Sequence, residues 1–272
     1  MSLTRSGALA LILALVCGLT AQAQHVDFST IAQAPPSLPL GEGVKVGDRV
    51  EIELKSGSAL LMRHFTAIVG ETENAWQVES NQLTAGFSSM RGGKGLVMAM
   101  TVDKKTSKVR SAKIGVPGGE LKQIKIMDDK NFPKPHVKPA GKQEEFTLPS
   151  GKKVMATVIT GKSAGQTYTS WVGAKGTDFE GLLLAFKGAN SNKVLSADPR
   201  EVNYELQDKG ADGKPRILMG QEVAYTDGVC VVMSRDPIAK RMCQGLLSSK
   251  STAGELKVVS LRTDATKTLN WK

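Results

Sequence analysis

The chain has 272 residues and a formal net charge of +10. Its basic residues are dispersed and are not interleaved with aromatic side chains, which excludes the usual pattern of a single-strand nucleic-acid binder. The three histidines lack the spacing of a ligand set, so we expect neither a zinc site nor another cofactor.

The first 23 residues have the features of a secretory signal peptide. Arg5 is followed by the apolar run 8–16 and by the small-residue cleavage site Ala21-Gln22-Ala23. The run is shorter than the ~18 residues of a spanning helix, and Val16 before Cys17 is unlike a lipoprotein signal, so both anchors are less favoured. We therefore predict a periplasmic or extracellular protein that does not span the membrane.

The mature chain is predicted to be mostly β. After a flexible, Pro-rich leader (24–43), the first β half (44–127) opens with Val50, Ile52 and Leu54 alternating with polar residues. A connector rich in proline and lysine (128–143) leads to the second β half (144–272). Short strands separated by Gly-rich turns indicate an antiparallel curved sheet, an incomplete barrel or a sandwich.

One short helix is predicted near the C-terminus. Asp236-Pro237 is a good helix start, and Ile238, Met242 and Leu246 recur along one stripe, so the helix should span about 237–248. It would place Cys243 opposite Cys230. An even cysteine count in an exported chain indicates a disulfide between them, although two free thiols are the alternative.

The two β halves resemble each other. Residues 47–57 align with 151–161, 95–100 with 181–186, and 108–112 with 193–197; Trp76 corresponds to Trp171. These matches occur in the same order, which favours an internal duplication. Short strands also converge by chance, so that alternative stays open, as does the arrangement of the halves as one sheet or two.

Two stretches carry a family resemblance. Residues 68–71 (IVGE) with 76–79 (WQVE), and later 171–188, resemble a pattern of uncharacterised secreted bacterial β proteins. The same order of strand-like segments is similar to that of the lipoprotein carriers of the Lol type. That resemblance implies an incomplete β-barrel over an apolar cavity, although the long helices that lid those carriers have no counterpart in this chain.

Catalytic patterns are weak. Glu79 and Glu180 lie near the two tryptophans, but we expect both to be solvent-facing strand glutamates. Ser150 and Lys153 form a Ser-x-x-Lys pair at a turn rather than at a helix start, and His64 is expected to be an ordinary strand residue.

We therefore predict a non-enzymatic envelope protein that binds an apolar or amphipathic ligand, or another envelope component. An anionic envelope lipid or polysaccharide would suit its charge. Candidate ligand-binding residues come from the apolar strands and the tryptophans: Trp76, Met98, Met100, Trp171, Leu184 and Phe186. The alternatives are a hydrolase of cell-wall polymer or polysaccharide, and a structural or assembly partner; the sequence leaves the oligomeric state undetermined.

Overall fold

A computed structural model describes residues 33–81, 95–128, 141–163, 166–188, 192–209 and 213–271. Within these ranges the chain forms eighteen strands and one helix. The predicted signal peptide and most of the connector lie outside the described residues.

The strands form three sheets, and all strand pairs but one are antiparallel. The first eight strands are β1 (Gln33–Ala34), β2 (Arg49–Ser56), β3 (Ala59–Glu71), β4 (Ala75–Ser80), β5 (Val97–Asp103), β6 (Val109–Gly115), β7 (Lys122–Gln123) and β8 (Lys125–Ile126). The others are β9 (Lys142–Thr147), β10 (Lys153–Ser163), β11 (Gln166–Gly173), β12 (Leu183–Lys187), β13 (Asn192–Val194), β14 (Arg200–Lys209), β15 (Pro215–Ala224), β16 (Cys230–Ser234), β17 (Leu246–Ser251) and β18 (Gly254–Arg262). The mostly β, antiparallel prediction is confirmed.

The largest sheet has eleven strands in the order β14-β15-β16-β17-β18-β2-β3-β4-β5-β6-β7. Strands from both predicted halves meet in it, because β18 pairs with β2 along the register Val258↔Ile52. The strict alternation of β2 follows from this position: Val50 faces the core, whereas Glu51 lies on the opposite face.

The inner face of β3–β6 carries the first core cluster, which includes Ile68, Val78 and Met100, all fully buried. Residues 33–43, the described part of the predicted flexible leader, cover this cluster. Ala34 is fully buried, and β1 pairs in parallel with β8.

The other end of the large sheet curls into an incomplete barrel around the second core cluster. The Tyr204 hydroxyl on edge strand β14 lies 2.9 and 2.8 Å from the carbonyl oxygens of Leu247 and Val258, and its single proton is shared between them. The Leu261 N–H donates to the Asp208 carboxylate at 2.8 Å. Side chains rather than a strand ladder therefore join β14 to β18, and the described sheets contain no closed barrel.

The five-stranded sheet β13-β12-β11-β10-β9 is inserted between β8 and β14. Its apolar side chains form the third core cluster with the ends of β15 and β16, and Leu184 and Val223 are fully buried there. The Tyr225 hydroxyl donates to the Leu183 carbonyl at 2.7 Å, which ties the two sheets together.

The helix, α1 (Pro237–Cys243), begins where predicted. The Asp236 carboxylate caps it by accepting from the N–H groups of Ile238 and Ala239 at 2.9 and 3.0 Å. It ends five residues earlier than predicted, because Gln244 and Gly245 take left-handed backbone angles (φ 54° and 83°). Leu246, which fits the helical stripe, begins β17 instead.

The predicted disulfide is not formed: Cys230 and Cys243 are free thiols. Cys230 pairs with Lys250 at one end of β16, whereas Ser234 at the other end bonds to Gly245, close to Cys243. The four residue steps from Cys230 to Ser234 span roughly 13 Å of strand. That separation exceeds the ~7 Å limit between Cα atoms of a disulfide.

The matched tryptophans have comparable topological positions. Trp76 lies on β4, which pairs with β3 and β5, and Trp171 lies on β11, which pairs with β10 and β12; all four pairings are antiparallel. The first half, however, has an additional strand, β3, between the aligned β2 and the tryptophan strand. The internal duplication stays a prediction.

No helix within the described ranges has the length and hydrophobicity needed to cross a membrane.

Candidate functional site

A groove of about 260 Å³ lies on one face of the five-stranded sheet. Strands β9, β11, β12 and β13 supply its lining. The residues that line it are Phe146, Trp171, Ala185, Phe186, Lys187, Asn192 and Val194. Two of the predicted ligand-binding residues, Trp171 and Phe186, are therefore among the residues that line the groove.

Three residues paired across strands β11, β12 and β13 explain why the groove forms. Trp171 pairs with Ala185, and Ala185 pairs with Val194, so the three side chains point to the same face of the sheet. The small, buried Ala185 is flanked by two larger side chains, and the gap above it is the floor of the groove. Val194 is 43% exposed, so this wall is open to solvent.

The indole of Trp171 is held in place by a hydrogen bond. Its Nε1 donates to Glu144 Oε1 at 2.6 Å. Glu144 lies on β9, two strands away from β11, so the ring extends across β10 and closes one side of the groove. Phe186 follows Ala185 on β12, so its ring points to the opposite face of the sheet, where it stacks on Tyr168 with centroids 5.8 Å apart. Phe186 therefore borders the groove with its backbone.

One end of the groove is polar and cationic. Lys187 pairs with Asn192 in the row next to the Ala185 row, and both side chains are exposed. Lys187 is the charged side chain that lines the groove. The site thus combines an apolar floor with a positive charge and a carboxamide at one end, a pattern suited to an amphipathic anion.

The four other predicted ligand-binding residues lie elsewhere. Met98 and Met100 are buried in the first core cluster, and Leu184 is buried in the third. Trp76 is half-buried against the first cluster, and the ammonium of Lys104 lies 4.4 Å from its ring centroid. These strands are apolar because they fill cores, so the six residues do not form a single surface.

Glu79 is not the solvent-facing glutamate that was expected. Its side chain is 1% exposed, and the C-terminal segment 268–271 covers it. Both carboxylate oxygens accept hydrogen bonds there, from Thr268, Leu269 and Trp271. Glu180 is exposed, as expected, and accepts from the Gly176 N–H at 3.0 Å.

His64 is a half-buried strand residue opposite Ile52. Burial lowers its pKa, since desolvation disfavours the charged imidazolium. Among the described residues, no group of three histidine, cysteine, aspartate or glutamate side chains could hold a metal ion.

Sequence reasoning missed five of the groove residues: Phe146, Ala185, Lys187, Asn192 and Val194. Phe146 lies on β9 and Val194 on the three-residue β13, and neither strand was predicted. The pairing of the small Ala185 with Trp171 could have revealed the groove, but this pairing can be found only when the strand register is known.

No protein-family model matches this chain, and neither a curated protein nor a solved structure is significantly similar to it.

Proposed function

We propose that this chain is an exported, non-enzymatic binding protein whose groove takes the apolar part of a small amphipathic anion. The observation that carries the proposal is the apolar row Trp171–Ala185–Val194, which ends at Lys187 and Asn192. A single acyl chain or aromatic ring would cover the floor, and its carboxylate or phosphate would lie near the lysine ammonium. This ligand class agrees with the resemblance to Lol-type carriers.

The size of the groove sets the expected affinity. At about 260 Å³ it lies slightly below the ~300–1,000 Å³ of typical ligand sites. With about 0.3 kcal/mol for each of about twelve non-hydrogen atoms, decanoate would bind with a dissociation constant of the order of 1 mM. A titration should therefore extend to several millimolar.

The test compares decanoate, decanol and a decyl-trimethylammonium salt by isothermal titration calorimetry. We expect decanoate to bind most tightly because of Lys187. Lys187→Gln should weaken decanoate binding several-fold and leave decanol binding unchanged. The matched control is Lys153→Gln on the same sheet, since Lys153 pairs with Glu145 at 3.0 Å and does not line the groove.

A second variant tests the floor. Ala185→Leu adds three carbon atoms between Trp171 and Val194, so it should reduce binding of both decanoate and decanol to an undetectable level. Its thermal unfolding shows whether the fold persists. The proposal is overturned if wild-type protein binds neither ligand, or if folded Ala185→Leu protein binds both as wild type does.

The compartment is part of the proposal. The signal-like segment 1–23 supports export to the periplasm or the exterior. Expression of the full chain in a bacterium, followed by fractionation and N-terminal sequencing, should yield a mature protein that begins at Gln24. Full-length protein retained in the cytoplasm would contradict export.

The hydrogen bonds of two candidate carboxylates favour ligand binding over hydrolysis of a polymer. A glycoside hydrolase needs two accessible carboxyl groups on either side of the scissile bond. Glu79 has its acceptor positions filled by the segment 268–271, and Glu144 is engaged by the Trp171 indole.

A further inference from the structure

A row of polar side chains crosses the five-stranded sheet beside the groove. Its members are paired across four neighbouring strands: Thr160↔Thr169, Thr169↔Lys187 and Lys187↔Asn192. Residues directly opposite on neighbouring strands point to the same face, so all four side chains lie on the face of the sheet that carries the groove, the groove face. We name this set the polar row. It runs alongside the apolar row that forms the groove.

The polar row offers hydrogen-bond donors and contains no acid. Lys187 supplies an ammonium and Asn192 the N–H groups of a carboxamide, while Thr160 and Thr169 supply hydroxyls. The two hydroxyl oxygens lie 3.5 Å apart, so Thr160 can donate to Thr169 while Thr169 donates to a ligand. Thr169 is half-buried, and the other three side chains are exposed. The row is therefore open to a ligand that carries several acceptor oxygens.

The lysines of this sheet differ between its two faces. On the opposite face, Lys153 and Lys193 each have a carboxylate oxygen 3.0 Å from Nζ. On the groove face lie Lys187 and Lys142, which is aligned with Trp171 through β10. Neither of these two lysines forms an ion pair with another residue that the structure describes. The positive charge of the groove face is therefore available to an anionic ligand.

The spacing of the donors fits a phosphate monoester better than a carboxylate. Side chains directly opposite on neighbouring strands have their Cβ atoms about 5 Å apart, so Asn192 and Thr169 flank Lys187 closely on either side. A phosphate monoester has three terminal oxygens and a charge of roughly −1.5 to −2 at neutral pH, so each of the three side chains can contact a different oxygen. A carboxylate has two oxygens and one charge, which leaves one of the donors without a partner on the ligand.

We infer that the groove binds single-chain phosphate monoesters more tightly than fatty acids, which rests on the binding function proposed above. The chain of the ligand lies on the apolar row, with Ala185 as its floor, and the phosphate is centred at Lys187. Asn192 and Thr169 donate to the remaining terminal oxygens, and Lys142 adds to the positive potential of the same face. The apolar row thus supplies affinity for the chain, and the polar row supplies selectivity for the head group.

Isothermal titration calorimetry of the full mature chain, in a buffer without phosphate, compares decyl phosphate with decanoate below the micelle concentration of each. We expect decyl phosphate to bind about tenfold more tightly, because it adds charge and a third acceptor oxygen. Inorganic phosphate alone should not bind measurably, because it lacks the chain. Binding of inorganic phosphate as tight as that of decyl phosphate would assign the polar row to a free anion and overturn the inference.

Two variants and a matched control test the polar row. Thr169→Val removes one hydroxyl at nearly constant size, so the preference for decyl phosphate over decanoate should fall about threefold. Lys187→Gln should abolish the preference. The control is Thr157→Val on β10, since Thr157 is also half-buried but pairs with Val172 on the opposite face of the sheet. It should keep the preference of the wild type, and thermal unfolding shows that each variant is folded.

Failure of the binding function and failure of the phosphate preference give different results. If wild-type protein binds neither decanoate nor decyl phosphate, the groove is not a binding site for such ligands and both proposals are wrong. If decanoate binds and decyl phosphate binds no more tightly, the binding function stands and the phosphate preference is overturned. A preference that persists in folded Thr169→Val and Lys187→Gln proteins would overturn it as well, because the polar row would then have no part in it.

Discussion

The carboxylate of Glu79 accepts a hydrogen bond from the indole N–H of Trp271, with 2.9 Å between Oε1 and Nε1. The two residues are 192 positions apart in the chain. The same carboxylate accepts from the backbone N–H groups of Thr268 and Leu269 and from the Thr268 hydroxyl. Leu269 then packs on Val97 and Ala99, so Glu79 fixes the C-terminal segment across the outer face of the large sheet.

Glu79→Gln should therefore destabilise the protein. An amide lowers the strength of these charge-assisted hydrogen bonds and turns a donor toward the N–H groups of the segment. We expect the free energy of unfolding in urea to fall by about 2–4 kcal/mol, with a red-shifted Trp271 emission as the segment detaches. Glu180→Gln, which changes an exposed glutamate, should leave the urea midpoint unchanged; equal effects of both variants would contradict the assignment.

The ion pair between Asp48 and Arg241 makes a second long-range connection. Asp48 is 1% exposed, and its carboxylate accepts from Nε and Nη2 of Arg241 at 2.8 and 3.0 Å. It also accepts from the Lys45 N–H at 2.9 Å. The hydrogen bond to Asp48 raises the pKa of the Arg241 guanidinium, so the arginine is charged at every usable pH.

Asp48→Asn should cost about 2–4 kcal/mol, because it leaves a largely buried guanidinium without its counter-charge. Arg262 and Asp264 make a similar two-bond contact at the exposed surface, at 2.8 and 2.6 Å. Asp264→Asn is therefore the control, and its urea midpoint should stay close to wild type. A loss of the same size in both variants would show that burial of the pair has no effect.

The free thiols give a chemical test of the fold. Burial raises the pKa of Cys243 to about 12, and its Sγ lies 3.1 Å from the Ala239 carbonyl oxygen. Burial also raises the pKa of Cys230. Since the thiolate is the reactive form, native Cys243 should react with an aromatic disulfide reagent at least tenfold more slowly than in urea.

Mild oxidation of the native protein should also leave both thiols free, because the β16 geometry separates them. Mass spectrometry after alkylation in urea counts the thiols. A rapidly formed bond between Cys230 and Cys243 would mean that α1 lies closer to the start of β16 than the structure shows.

Alternation and caps made much of the fold predictable. The alternation in β2 and the Asp236-Pro237 start of α1 are local signals, because each depends on residues within a few positions. The end of α1 was misplaced because Leu246 fits a helical stripe, although Gly245 interrupts it. The site was predicted only in part: the Trp171 side chain reaches the groove and Phe186 lies beside it, while the other predicted residues, on equally apolar strands, lie in or against the cores.

The burial of Glu79 illustrates what local patterns cannot supply. On β4 it occupies a polar position of an alternating strand, which predicts solvent exposure. Its environment is set by Thr268 to Trp271, about 190 residues later, and such a contact leaves no periodic signal near position 79. The prediction of a disulfide between Cys230 and Cys243 was wrong for the same reason: the distance between them depends on the register of β16 with β17, which local sequence does not show.

Alkaline pH should reveal how strongly Tyr225 joins the two sheets. Burial raises its pKa to about 12 from the ordinary 10.0, and its hydroxyl donates to Leu183. Because the folded state holds this proton more tightly than the unfolded chain does, the associated stability is complete below pH 10 and is lost as the pH rises toward 12. Two pKa units correspond to at most about 3 kcal/mol.

The measurement is the urea midpoint between pH 7 and 11 for wild type and Tyr225→Phe in reducing buffer. At pH 7 the variant should be about 1 kcal/mol less stable, because it loses the hydrogen bond to Leu183. Above pH 10 its stability should fall less steeply than that of the wild type, so the two curves converge. Burial also raises the pKa values of Tyr204 and Cys243, so some alkaline loss persists in the variant. Parallel curves would show that ionisation of Tyr225 is not coupled to unfolding, because the phenol would then titrate alike in both states.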